Sequence, residues 1–138
     1  MVLVGLLIIA LVAGCSLDKS ADSLANGYYQ SIQNKDYNKA ASFLSANFLK
    51  KTSQADFVQI LQNINNKLGD LQSYKLNSWN KNSQAGVGSA PSGTTYKLVY
   101  IVTYSKDVDT ETITLFQPSG GELKIDGLSF NNASLLKP

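Results

Sequence analysis

The side chains able to do chemistry are few, and what is missing narrows the reading first. The 138 residues include no His, no Arg, a single Cys at position 15 and two Glu. Without His the commonest general base is absent, and without Arg there is no bidentate clamp for phosphate or carboxylate. Transition metals lose their preferred nitrogen ligand, so no metal and no cofactor are expected. One thiol, scattered carboxylates and seven tyrosines remain. Tyr96, Tyr100 and Tyr104 recur every four residues, which on a strand points them all to one side. Together with Tyr28 and Asp36 they could line a pocket where phenolic hydroxyls orient a small ligand lying on apolar carbon. Plainer roles stand beside this one. Tyrosine is common in strand cores, and an Asp before an Ala-rich helix commonly caps it. Asp126, followed by Gly127, could face a pocket, but on the face opposite Ile125 it is expected to be solvated.

Cys15 follows an apolar run, Met1 to Ala13, after which the sequence turns polar at once. That run is too short to cross a bilayer, which takes about 20 apolar residues, but it suits the apolar region of a signal peptide. Val12-Ala13-Gly14-Cys15 resembles the lipobox of bacterial lipoproteins. The resemblance implies cleavage between Gly14 and Cys15, a thioether from Cys15 to diacylglycerol, and a membrane as partner through acyl groups on Cys15. Several acyl chains anchor stably, whereas one binds only marginally. Ser16, rather than Asp, after the cysteine implies the periplasmic face of the outer membrane where the host has two membranes, and the cell surface otherwise. No Lys or Arg precedes the apolar run, so either the initiator amine supplies the positive charge or a basic segment lies upstream. A lone cysteine rules out an internal disulfide. The net charge of +2 and the lack of a basic stripe argue against nucleic acid as a partner.

Three segments follow from this: a signal peptide over 1–14, a lipidated tether over 15–20 and one domain over 21–138. Helical spacing predicts a first helix over Ser20 to Asn34, with Leu24, Tyr28 and Ile32 inward, and a second over Tyr37 to Ser45. A third begins at Ser53, with Asp56 completing a capping box, runs through Phe57, Ile60, Leu61, Ile64 and Leu68, and stops at Gly69. The period then drops to two. Strands are expected over Ser73–Asn80, Thr94–Ser105, Thr110–Gln117 and Glu122–Phe130, with a long loop over Asn80 to Gly93. A turn at Asp107-Val108 sets Tyr104 against Glu111 and puts Tyr96, Leu98, Tyr100, Val102, Ile113 and Leu115 on one core face. A glycine-bearing loop, Ser119-Gly120-Gly121, keeps Leu115 opposite Ile125.

The expected class is α+β: three N-terminal helices packed on one face of a curved four-stranded antiparallel meander sheet. The element order, the Asp36-Tyr37-xx-Ala40 step and the closing Leu123-Lys124-Ile125-Asp126-Gly127-Leu128 strand resemble the cone-shaped domains of the nuclear-transport-factor-two-like, or cystatin-like, superfamily. Small bacterial lipoproteins built on that fold are especially similar. The resemblance covers most of Ser20 to Phe130, implies a cone-shaped fold and carries over no catalytic residue.

Val99, Ile101 and Phe116 share the outer sheet face with Lys97, Thr103, Thr112 and Thr114, a patch suited to a protein partner or a homodimer contact. The expected function is a non-enzymatic binding or accessory domain of the cell envelope, for an envelope protein or a small apolar ligand. Two alternatives stand: a small cone-fold enzyme using Asp36 with tyrosine hydroxyls, and a structural subunit of an envelope complex.

Overall fold

The computed structural model describes residues 16–86, 88 and 91–137. The expected signal segment, the lipobox-like residues and Cys15 lie outside the described residues. Helices α1 (Lys19–Gln33), α2 (Tyr37–Ala41), α3 (Ala46–Lys51) and α4 (Gln54–Leu68) precede strands β1 (Leu71–Gln84), β2 (Gly93–Tyr104), β3 (Val108–Pro118) and β4 (Lys124–Phe130). A short 3-10 turn, Ala133–Leu136, follows. The class is α+β, with an antiparallel sheet in the order β1-β2-β3-β4. No described helix is long and apolar enough to cross a membrane.

The four helices correct the expected three. The segment Tyr37 to Ser45 does not run as one helix, because the Ser45 hydroxyl accepts from the Phe48 N–H (3.0 Å) and so starts a new one. Phe43 and Ser45, at that break, bond to the free edge of β4: Ile125 N–H donates to Phe43 O (2.8 Å) and Ser45 N–H to Ile125 O (2.8 Å). One sheet edge is thereby covered. In α4 the Ser53 hydroxyl accepts from Asp56 N–H (3.2 Å), and Phe57, Leu61, Ile64 and Leu68 are buried at helical spacing. Ile60, expected inward, is instead 40% exposed on the helix flank. Gly69 ends α4 at φ +87°, where an added Cβ would collide with Ser105 Oγ.

Tyr96, Leu98, Tyr100, Val102, Ile113 and Leu115 are all buried, as the alternation requires, and form one cluster with Ala21, Ala25, Tyr28, Tyr29 and Ile32 of α1. Their register differs from the expected one. Val102 faces Asp109, Tyr100 faces Glu111 and Leu98 faces Ile113, a shift of four residues that keeps the same side chains inward. The turn is Ser105-Lys106, closed by Tyr104 N–H donating to Asp107 O (2.8 Å). The end of α4 selects it: Ser105 N–H donates to Asp70 O (2.8 Å) and Lys106 N–H to Leu68 O (2.9 Å), which supplies a partner for a terminal helix carbonyl. Leu115 does face Ile125, and Gly120 takes the left-handed conformation at φ +72°.

The long loop is also corrected. β1 continues to Gln84, and Asn80 through Gln84 pair with Lys97 through Gly93. An irregularity between Leu76 and Ser78 moves Trp79 onto the face of Tyr74 and Leu76, where it packs against the core.

Candidate functional site

The three tyrosines of β2 meet three different environments. Tyr104 Oη donates to Glu111 Oε1 (2.6 Å), and Tyr29 of α1 donates to Glu111 Oε2 (3.0 Å), so both carboxylate oxygens accept from a phenol. Glu111 is 1% exposed. Burial raises its carboxyl from 4.5 to about 7, against the lowering pull of the Tyr104 hydrogen bond. Tyr29 sits at the centre of an aromatic group, stacked on Tyr74 (4.6 Å between centroids) and edge-on to Tyr28 (5.2 Å) and Tyr100 (4.9 Å). The hydroxyls of Tyr28 and Tyr100 are buried without a hydrogen-bond partner, and burial pushes Tyr100 up to about 12. Asp109, also buried, accepts at Oδ1 from Asn131 N–H (2.9 Å); burial raises its carboxyl too.

Tyr96, at the other end of β2, donates to Asp18 Oδ2 (2.5 Å). Lys81 Nζ reaches the same oxygen at 2.7 Å and lies 5.5 Å from the Tyr96 ring centroid. The Lys81 ammonium, then the Tyr96 hydroxyl, hold the Asp18 carboxyl below its ordinary range. Asp36 is exposed, and its carboxylate accepts from Lys39 N–H (3.1 Å), the geometry of a cap on α2. The structure therefore places Tyr28, Tyr96, Tyr100 and Tyr104 in the core and Asp36 at a helix start. It does not gather the five around one opening.

Of the clefts among the described residues, three are well defined, and none of these is lined by Glu111, Tyr28, Tyr100 or Tyr104. One, of about 500 Å³, is lined by Asn47, Gln84, Pro91, Thr95, Phe116 and Asp126. Phe116 and Pro91 supply apolar surface; Asn47 and Gln84 bring amides, Thr95 a hydroxyl and Asp126 a carboxylate. Asp126 Oδ1 is oriented by Ser45 Oγ (2.7 Å) and Asn47 Nδ2 (3.3 Å), a consequence of α3 starting beside the β4 edge. This is an arrangement for holding a ligand with one apolar face and hydrogen-bonding groups around it. Among the described residues no group of three Cys, Asp or Glu is placed to hold a metal.

The register also divides the expected outer patch. Val99 faces Thr112 and Ile101 faces Thr110, whereas Phe116 faces Thr95, with the Lys97–Thr114 pair between them. Val99, Ile101 and Phe116 are half-buried and do not form one continuous patch. Phe116 belongs with the cleft instead.

Sequence reasoning missed Glu111 and Asp109 as buried groups. A signal was present: Glu111 alternates with Ile113 and Leu115 on the core side and faces a tyrosine in either register. Comparison with protein-family models, with curated proteins and with solved structures finds no match to this chain.

Proposed function

We propose that this chain is an exported lipoprotein, held on a bacterial membrane by acyl groups on Cys15, and that its domain is a non-enzymatic binding or accessory module of the cell envelope. In this reading the sheet has the curvature of the cone-shaped superfamily, and the cleft of Phe116 and Asp126 is the binding site. The observation that carries the binding reading is that cleft: one aromatic wall, with Asn47, Gln84, Thr95 and a pre-oriented Asp126 around it. A contrast with the core supports it. Glu111, whose carboxyl burial raises to about 7, is sealed from solvent with both oxygens engaged, so it has no route to a substrate. Asp36, the acid or base of the enzymatic alternative, is committed to its helix cap.

Two measurements test this. Intact-mass analysis of membrane-extracted protein should give a chain starting at Cys15 with added acyl mass, and Cys15→Ser should abolish it. A photo-crosslinking amino acid at Phe116 should form a discrete adduct in cells, while the same group at Ile101 should not. Recovery of an unacylated full-length chain sinks the lipoprotein reading. Adducts at Ile101 alone sink the cleft.

A further inference from the structure

The domain docks its own chain almost from the first described residue. Leu17 packs against the core, Asp18 is held by Lys81 and Tyr96, and α1 begins at Lys19. Ser16 alone separates Cys15 from the docked Leu17. At full extension two residues reach only about 7 Å. An acyl anchor on Cys15 is then no leash: it holds the surface around Asp18 against the lipid.

Sheet register identifies that surface. Lys81, Tyr96, Leu115 and Ile125 form one row across the four strands. Beyond this row the strands run on to the β1–β2 tip and to the Pro118–Lys124 connection. In the opposite direction α1 leads away, its end marked by Gln33 Nε2 donating to Gln72 O (3.0 Å). Its 15 residues span roughly 22 Å at about 1.5 Å per residue. The far pole thus carries Asn34, Asp70 and the Ser105-Lys106 turn, which Lys35–Asp70 (3.0 Å) and Ser105 N–H to Asp70 O (2.8 Å) tie together.

We propose that the anchored protein docks its strand-tip pole on the headgroup layer of the bilayer and presents the far pole to the envelope space. The proposal rests on lipidation at Cys15. The near pole has the chemistry for headgroups of any charge: 82–86, 91–95 and 117–121 contain no ionisable side chain and many amides and hydroxyls, among them Asn82, Ser83, Gln84, Gln117 and Ser119. Of the nearby cations, Lys81 pairs with Asp18 (2.7 Å) and Lys124 with Glu122 (3.9 Å), while Lys19 beside Asp18 is exposed. Docking is therefore set chiefly by the short anchor and by neutral hydrogen bonding, and depends little on salt. The Phe116 cleft, which shares Gln84 and Pro91 with the tip, comes to lie at the headgroup boundary.

The experiment uses the acylated protein, its acyl mass verified, in phosphatidylcholine vesicles containing a lipid with a nitroxide on its headgroup. A bimane fluorophore is placed at the exposed positions Ser119→Cys and, separately, Asn34→Cys. The Ser119 label should be quenched several-fold more than the Asn34 label, equally at low and high salt. Inserting about 12 Gly/Ser residues between Ser16 and Leu17, a flexible linker, should remove the difference. Equal quenching of the two labels on acylated protein overturns the docked orientation, and a difference that survives the linker overturns the short anchor as its cause. Absence of acyl mass overturns the lipoprotein reading itself, and this proposal with it.

Discussion

Two carboxylates in this domain accept hydrogen bonds from tyrosine hydroxyls of the same strand, and they respond in opposite ways. Asp18 takes the hydroxyl of Tyr96, Glu111 that of Tyr104. The Asp18 side chain is 42% exposed and has the Lys81 ammonium beside it, so its charged form is favoured and its carboxyl is lowered. Glu111 has a second phenol, Tyr29, in place of a cation and is shut off from solvent, and burial raises its carboxyl to about 7. The hydrogen bonds favour the charged form in both places. Desolvation and the missing cation outweigh them at Glu111. The pair shows that the tyrosines are not one functional set: one end of β2 fastens the chain at the start of α1, and the other closes a polar core.

The largest effect should come from breaking the buried side of this comparison. Glu111→Ala leaves the hydroxyls of Tyr29 and Tyr104 buried without acceptors and opens a cavity, a cost of about 3 kcal/mol or more in a urea titration. Combining Tyr29→Phe, Glu111→Met and Tyr104→Phe should recover most of that loss, because an apolar set of similar size needs no partners. If the triple variant were as unstable as Glu111→Ala, the polar group would not be acting as a unit.

Asp18→Ala should lower stability less, and high salt should shrink the difference between variant and parent, as befits an exposed pair. Because the Asp18 carboxyl is lowered in the folded state, its contribution is present above its ordinary value of 3.8 and disappears as the pH falls. Salt-independent loss would mean that the clamp is sealed like the core. The smallest effect belongs to Tyr100→Phe. Its hydroxyl is buried without a partner, so removal should leave the urea midpoint unchanged or raise it by up to about 1 kcal/mol in stability. A clear drop would reveal a partner for that hydroxyl.

Much of the frame was legible in the sequence because periodicity carries it. The apolar spacing of α1 and α4, the Ser53 cap, the Gly69 stop and the shared core face of β2 and β3 all follow from residue patterns. The register between β2 and β3 was not legible. Alternation penalises odd slips, which turn a strand over, but an even slip of four leaves every core side chain inward. What selects the register is tertiary: the backbone of Ser105 and Lys106 pairs with Asp70 and Leu68. That one difference carries Phe116 away from Val99 and into a cleft. Asn80 to Gln84 look like a loop because their side chains are polar, yet ladder bonds need only backbone, so the hairpin continues through them. Glu111 was within reach, since a carboxylate alternating with Ile113 and Leu115 has to be paired or neutral inside.

The most direct test of the central claim, that burial rather than hydrogen bonding governs the polar core, is folding stability measured from pH 4 to pH 8 for the parent chain and for Glu111→Gln. A carboxyl raised in the folded state stabilises fully below its ordinary value of 4.5, and that contribution is lost as the pH climbs through about 7. At about 1.4 kcal/mol per pH unit, the parent should lose roughly 3 kcal/mol across that window. Glu111→Gln should remove most of the slope, leaving the part owed to Asp109, whose carboxyl burial also raises. A parent whose stability instead increases between pH 4.5 and 7 would contradict the account and show that the tyrosine hydroxyls dominate, and a slope unchanged in Glu111→Gln would contradict it by placing the titration on another group.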